Sequence, residues 1–157
     1  MIPNLHAVLA GSPKTLEAYK MLHQLFSSSS FSKEELTVIW QTINIENECH
    51  YCVPAHTAVA NMMSVDPALS ETLRNGETLS TEKLQTLQAT TLSIVRNRGH
   101  LTEEELKAFY AAGYGEQQVL EIILGLAQKV ISNYTNHIAN TPVDAPFQKF
   151  AWKKETA

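Results

Sequence analysis

An all-α fold, one helical bundle spanning residues 1–157, is predicted by three features of the sequence. Helix-start signals recur along the chain. The apolar residues between them fall at helical spacing. No segment alternates apolar and polar side chains as a half-buried strand would. Apolar residues make up 44% of the chain, close to the globular norm, so a core can form without covalent staples.

The elements follow in order. Ser12-Pro13 opens the first helix, Ser at the cap and Pro at the first helical position, and it runs to the serines Ser27–Ser30. Ser32-Lys-Glu-Glu35 is a capping box that starts a helix through Leu36, Val38, Ile39, Thr42 and Ile43. A third helix is expected from Asn47 to Met63, and a short one from Asp66-Pro67 to Asn75-Gly76. Ser80-Thr81 opens a helix carrying Leu84, Leu87, Ile94 and Val95, which ends before Gly99. Thr102-Glu-Glu-Glu105 is a second capping box, for a helix that stops at Gly113. The last helix starts near Glu116 and carries Val119, Ile122, Ile123, Leu126 and Val130, a broad stripe that suits a central helix or a subunit interface. The tail from Thr141, with Pro142 and Pro146, reads as extended over the surface.

The formal net charge is −4 and the 12 basic residues are scattered, with Lys153-Lys154 the one adjacent basic pair. Nucleic-acid binding needs a concentrated basic face, so that class is excluded. No apolar run approaches a bilayer span, and the first ten residues lack a basic n-region, so no membrane partner and a cytoplasmic location are expected. The two cysteines, Cys49 and Cys52, would close too small a loop to make a useful staple. Their pairing is better explained by reactivity.

That reactivity is read from Glu46, Cys49, Cys52 and His56, at intervals of three, three and four. On one helix these residues share a face. With Asn47 as cap, both cysteines would lie in the first turns, where free N–H groups and the helix dipole favour a thiolate. His56, a turn beyond Cys52, is then a candidate base. Glu46 would act as a proton relay, with Glu48 as its substitute, because a carboxylate charge beside a thiol raises the thiol pKa. Residues three apart on a helix have Cβ atoms about 5–6 Å apart. A relaxed disulfide wants about 3.5–4.5 Å. A bridge here would therefore be strained, accessible and readily reduced.

Glu46-x-x-Cys49-x-x-Cys52-x-x-x-His56 resembles the motif of the AhpD-like alkylhydroperoxidases, within the carboxymuconolactone decarboxylase superfamily. Pro3-Asn4-Leu5, Ser12-Pro13 and Leu16-Glu17-Ala18 are similar to the family's opening, and Asn133-Tyr-Thr-Asn136-His137 to its closing helix. The resemblance implies an AhpD-like helical bundle, homo-oligomers such as trimers or hexamers, and no bound cofactor. It implies peroxide reduction, with Cys52 attacking, Cys49 resolving, and His56 and Glu46 moving protons. A lipoyl- or thioredoxin-type dithiol protein would restore the pair. His50 lies between the cysteines, but the residue just before Cys52 is Tyr51, a departure from the best-studied branch of the family.

Rival readings are a lactone decarboxylase-like acid–base enzyme, which needs no cysteine pair, and a non-catalytic redox or metal-sensing oligomer. Zinc would have to use Cys49, Cys52, His56 and either Glu46 or His50, crowded onto one turn. Inert buried cysteines are the remaining alternative. His137, Asn133 and Asn136 read as packing or interface residues on the last helix, His6, His23 and His100 as ordinary surface or packing residues, and Trp40 as core.

Overall fold

The structure is a computed structural model that describes residues 1–154. Among these are eight α-helices, one 3-10 helix and no strand: α1 (Asn4–Leu9), α2 (Pro13–Ser27), α3 (Lys33–Glu46), α4 (Cys52–Met62), α5 (Pro67–Arg74), α6 (Glu82–Arg96), α7 (Glu103–Ala111), α8 (Glu116–Ala139) and the 3-10 turn Ala145–Phe150. Both expected capping boxes form. Ser32 Oγ accepts from Glu35 N while Glu35 reaches back to Ser32 N, and Thr102 pairs with Glu105 in the same way. Each such cap is worth about 1 kcal/mol and fixes where its helix begins.

The helix buried on every side is α3, on which every residue from Glu35 to Asn44 is buried. It packs against α4, α5, α6 and α8. One apolar core gathers Val38, Ile39, Trp40 and Ile43 of α3 with Phe26, Leu73, Leu87, Ile94, Phe109 and Ile122. At the crossing of α2 and α8 a glycine is required, because a Cβ on Gly125 would lie 2.7 Å from the Phe26 ring. A smaller cluster gathers Leu5, Leu9, Tyr19, Tyr51 and both cysteines.

Several sequence expectations are corrected. A short helix, α1, precedes Ser12-Pro13. The third helix does not begin at Asn47, which is instead the C-cap of α3. There Glu48 adopts a left-handed conformation, φ 53°, with Cys49 N donating to Asn44 O at 2.9 Å and Glu48 N to Ile45 O at 3.0 Å. This is a Schellman ending built on Glu where the usual residue is Gly. With no glycine to mark the turn, the sequence places the start of the next helix at Asn47, inside it.

The C-terminal tail is also no free extension. Asp144 accepts from Asn4 N at 3.1 Å and from Tyr51 Oη at 2.5 Å. The His50 Nε2 lies 3.0 Å from Thr141 O, and Arg74 holds the carbonyls of Phe150 and Ala151. The tail thus straps the turn that carries the cysteines.

Candidate active site

The break after α3 makes Cys49 the lead-in to α4. Its carbonyl accepts from Val53 N at 3.1 Å and its sulfur accepts from Cys52 N at 3.3 Å, so Cys49 acts as a sulfur cap on the helix that Cys52 begins. Cys52 therefore sits in the first turn of α4, at the positive end of the helix dipole, which favours an anion. Both cysteines are free, at 0% and 1% exposure. The accessible edge expected from the sequence is absent.

The surroundings of the Cys52 sulfur are nonetheless polar. Asn136 Nδ2 of α8 donates to it at 3.2 Å. Lys129 of α8 is 0% exposed, and its ammonium acts on Cys52 through space. Burial pushes the Cys52 thiol up, but hydrogen bonding from Cys49, the Lys129 charge, and hydrogen bonds from Asn136 and Ser132 outweigh burial and hold it below the ordinary thiol range. Hydrogen bonding with Cys52, then burial, drives the Cys49 thiol the other way. The two sulfurs are thereby shifted in opposite directions, Cys52 toward the thiolate and Cys49 toward the thiol.

His56 lies beside it on α4, 4.8 Å from the Trp40 ring centroid. Its Nε2 is 2.8 Å from Lys129 Nζ. Burial, then the charge of Lys129 and that of His23, holds this imidazole well below its ordinary pKa, so it is neutral at pH 7. An ammonium only donates. With Lys129 as the ammonium, Nε2 accepts and the proton lies on Nδ1, a buried atom with no protein partner. Burial also pulls Lys129 below the ordinary lysine pKa, against the opposing pull of the two sulfurs.

A cavity of about 800 Å³ opens beside His56, which lines it; the two cysteines and Lys129 lie behind its wall. Its walls come from α1, α2, α4 and Phe147, are mainly apolar, and include His6, Tyr19, His23, Tyr51 and His56. Rings form a column along it: His6 to Tyr19 at 5.7 Å, Tyr19 to His23 at 6.4 Å, and His23 to Trp40 at 5.6 Å, with His56 beyond. Gln128 fixes the middle of the column, accepting from Trp40 Nε1 at 2.7 Å and donating to His23 Nδ1 at 3.1 Å. Among the described residues no group of three or more His, Cys, Asp or Glu side chains is arranged to hold a metal ion, and no helix is long and apolar enough to cross a membrane.

Cys49 and Cys52 are therefore brought together, and His56 stands one turn further along α4, bonded to the lysine whose charge acts on Cys52. Glu46 is not joined to them. It ends α3, across the Schellman turn, and Arg96 binds its carboxylate bidentately at 2.7 and 2.8 Å. The hydrogen bonds from Arg96 hold that carboxyl below its usual range, so it is a poor proton carrier. Glu48 pairs with Lys154 at the surface, and His50 with the strap. His137 is exposed on α8. The sequence reading missed Lys129, Ser132 and the cavity residues His6, His23 and Tyr19, and left Asn136 as packing. A signal existed: Lys129 stands seven residues after Ile122 and seven before Asn136, on one helical face.

No protein-family model matches the chain, and no curated protein matches it. Solved structures do. The alkylhydroperoxidase AhpD core protein of Ralstonia eutropha JMP134, described as peroxidase-related, superposes with TM-score 0.83 at 19% identity, over 92% of this chain and 78% of that one. A peroxidase-related protein from Silicibacter sp. TM1040 gives TM-score 0.75 at 21% identity, over 94% and 79%. The debrominase Bmp8, a cysteine-to-alanine variant in complex with 2,3,4-tribromopyrrole, gives TM-score 0.82 at 16% identity, over 95% and 81%. At such identities the architecture is what is shared: the chain has the AhpD-like helical fold.

Proposed function

We propose that this chain is a thiol-dependent peroxidase acting on alkyl hydroperoxides. The observation that carries the reading is the polarised pair, with the Cys52 sulfur held by Asn136 near a buried ammonium and the Cys49 thiol beside it. The thiolate is the reactive form of cysteine. Cys52 attacks the terminal peroxide oxygen, the O–O bond breaks, and an alkoxide leaves while Cys52 becomes a sulfenic acid. Cys49 then displaces hydroxide from that sulfur, its proton leaving with the hydroxide as water, and a disulfide remains. A dithiol donor of lipoyl or thioredoxin type reduces the bridge. A reducing, cytoplasmic setting suits such a cycle.

The whole chain serves as one AhpD-like unit, and we place it in a homo-oligomer, a trimer or hexamer. Support comes from the outer face of α8, where Leu120, Tyr134 and Ile138 are 67%, 54% and 88% exposed in one stripe. Such a face is unusual for a helix without a partner.

The test is one equivalent of cumene hydroperoxide added to the reduced protein, followed by mass spectrometry. Expected are a transient oxygen adduct on Cys52, then a Cys49–Cys52 bridge, with peroxide consumption falling to background in Cys52→Ser. Unchanged thiols would remove the reading. Turnover of a halogenated pyrrole in place of peroxide would move it to thiol-dependent dehalogenation on the same pair, a chemistry for which the ring-lined cavity has room.

A further inference from the structure

His56 faces two ways. On one side its Nε2 accepts from the buried Lys129 ammonium at 2.8 Å. On the other, its Nδ1 is buried without a partner in a residue that lines the cavity. Other acidic groups nearby are engaged elsewhere: Glu46 with Arg96, and Asp144 with Tyr51 and Asn4. Facing Lys129 and His56 are Cys49 and Cys52 from the turn into α4, and His23 and Tyr19 from α2. Trp40 and Asn44 of α3, and Ser132 and Asn136 of α8, do not titrate.

From this geometry we infer that Lys129 supplies, through the His56 imidazole, the proton taken up by the oxygen that leaves during peroxide cleavage. The inference rests on the peroxidase reading and names the acid that reading lacks. The thiolate of Cys52 and a hydroperoxide give a sulfenic acid and an alkoxide. The alkoxide, seated in the cavity, takes the proton from His56 Nδ1, and His56 Nε2 takes one from Lys129 Nζ. Imidazole ends neutral as the other tautomer, Lys129 ends as a neutral amine, and no net charge is created in the buried site. After the dithiol donor restores both thiols, Cys52 returns its proton to Lys129, and His56 exchanges its Nε2 proton for one on Nδ1 through water in the cavity. Lys129 is thus a positioning residue that sets both the thiolate and the imidazole tautomer, while His56 touches the reacting oxygen.

The experiment compares two oxidants on the reduced full-length chain by stopped flow. tert-Butyl hydroperoxide releases a strongly basic alkoxide that needs a proton, whereas peracetic acid releases acetate, which does not. Rates are compared at equal thiolate content, read from absorbance at about 240 nm across pH. For Lys129→Met the rate with tert-butyl hydroperoxide should fall about 10²-fold, the usual worth of a general acid, while the peracetic acid rate changes by less than about threefold. Its thiolate titration should move up toward the ordinary thiol pKa of about 8.5. Lys129→Arg should keep the low thiolate titration but not the alkyl hydroperoxide rate, since a guanidinium holds its proton too tightly to give it. Wild type needs no variant: across hydroperoxides, its rates should depend only weakly on the acidity of the alcohol released. Equal losses with both oxidants, or a steep wild-type dependence on that acidity, would overturn the relay and leave the peroxidase intact. Failure of wild-type Cys52 to react with either oxidant would remove the peroxidase reading itself.

Discussion

The two halves of α8 present the same face to the protein and fill it with opposite chemistry. In the first half Ile122 and Gly125 pack on Phe26 and the apolar core. In the second half the buried residues are Gln128, Lys129, Ser132, Asn133 and Asn136. Asn133 donates to Asn44 Oδ1 at 3.0 Å and accepts from Asn47 at 2.9 Å, tying α8 to the end of α3. Asn44 in turn donates to Gln41, and Gln41 to the carbonyl of Val53. A buried polar group is costly unless it is bonded, so the second half adds little net stability and holds the cysteine turn in one geometry. The first half supplies cohesion; the second supplies the environment of a thiolate.

That contrast can be tested by substitution, beginning with the largest effect on stability. Ile122→Ala removes a fully buried side chain from the apolar half and should cost about 2–5 kcal/mol in urea unfolding. Its effect on Cys52 alkylation in the folded protein should be small. Asn133→Ala leaves Asn44 Oδ1 without its donor and Asn47 Nδ2 without its acceptor and should cost about 1–3 kcal/mol. It should also loosen the turn, so that Cys52 alkylates more readily in hydrogen-exchange-competent native conditions. If Asn133→Ala costs as much as Ile122→Ala while leaving alkylation untouched, the division of labour along α8 is wrong. Glu48→Gly relieves a left-handed residue at the end of α3 and should stabilise by about 1 kcal/mol. The lost surface pair with Lys154 offsets a few tenths at most. No gain in Tm would mean that the left-handed turn at Glu48 is not strained.

Much of the architecture was legible because it is written locally. Ser32 with Glu35, and Thr102 with Glu105, mark helix starts through bonds between residues three apart, and the structure keeps both. Where the signal was not local, the reading failed. The stop after Glu46 depends on a left-handed Glu rather than a Gly, and that single residue carried Glu46 off the face it was expected to share. Ile123, assigned to the buried stripe, is exposed at the outer face of α8.

The sequence by itself determined most of the helices, their order, and the close spacing of two sulfurs and an imidazole, because short-range capping, periodicity and spacing need no knowledge of distant residues. Only the tertiary structure decided what those groups meet. Lys129 and Asn136 lie more than seventy residues beyond the cysteines, and an isolated lysine on a helix reads as solvent-facing until another helix covers it. Bringing α8 onto α4 buries that charge beside a thiol and an imidazole, and electrostatic coupling of this kind depends on distance and burial rather than on neighbours in the chain.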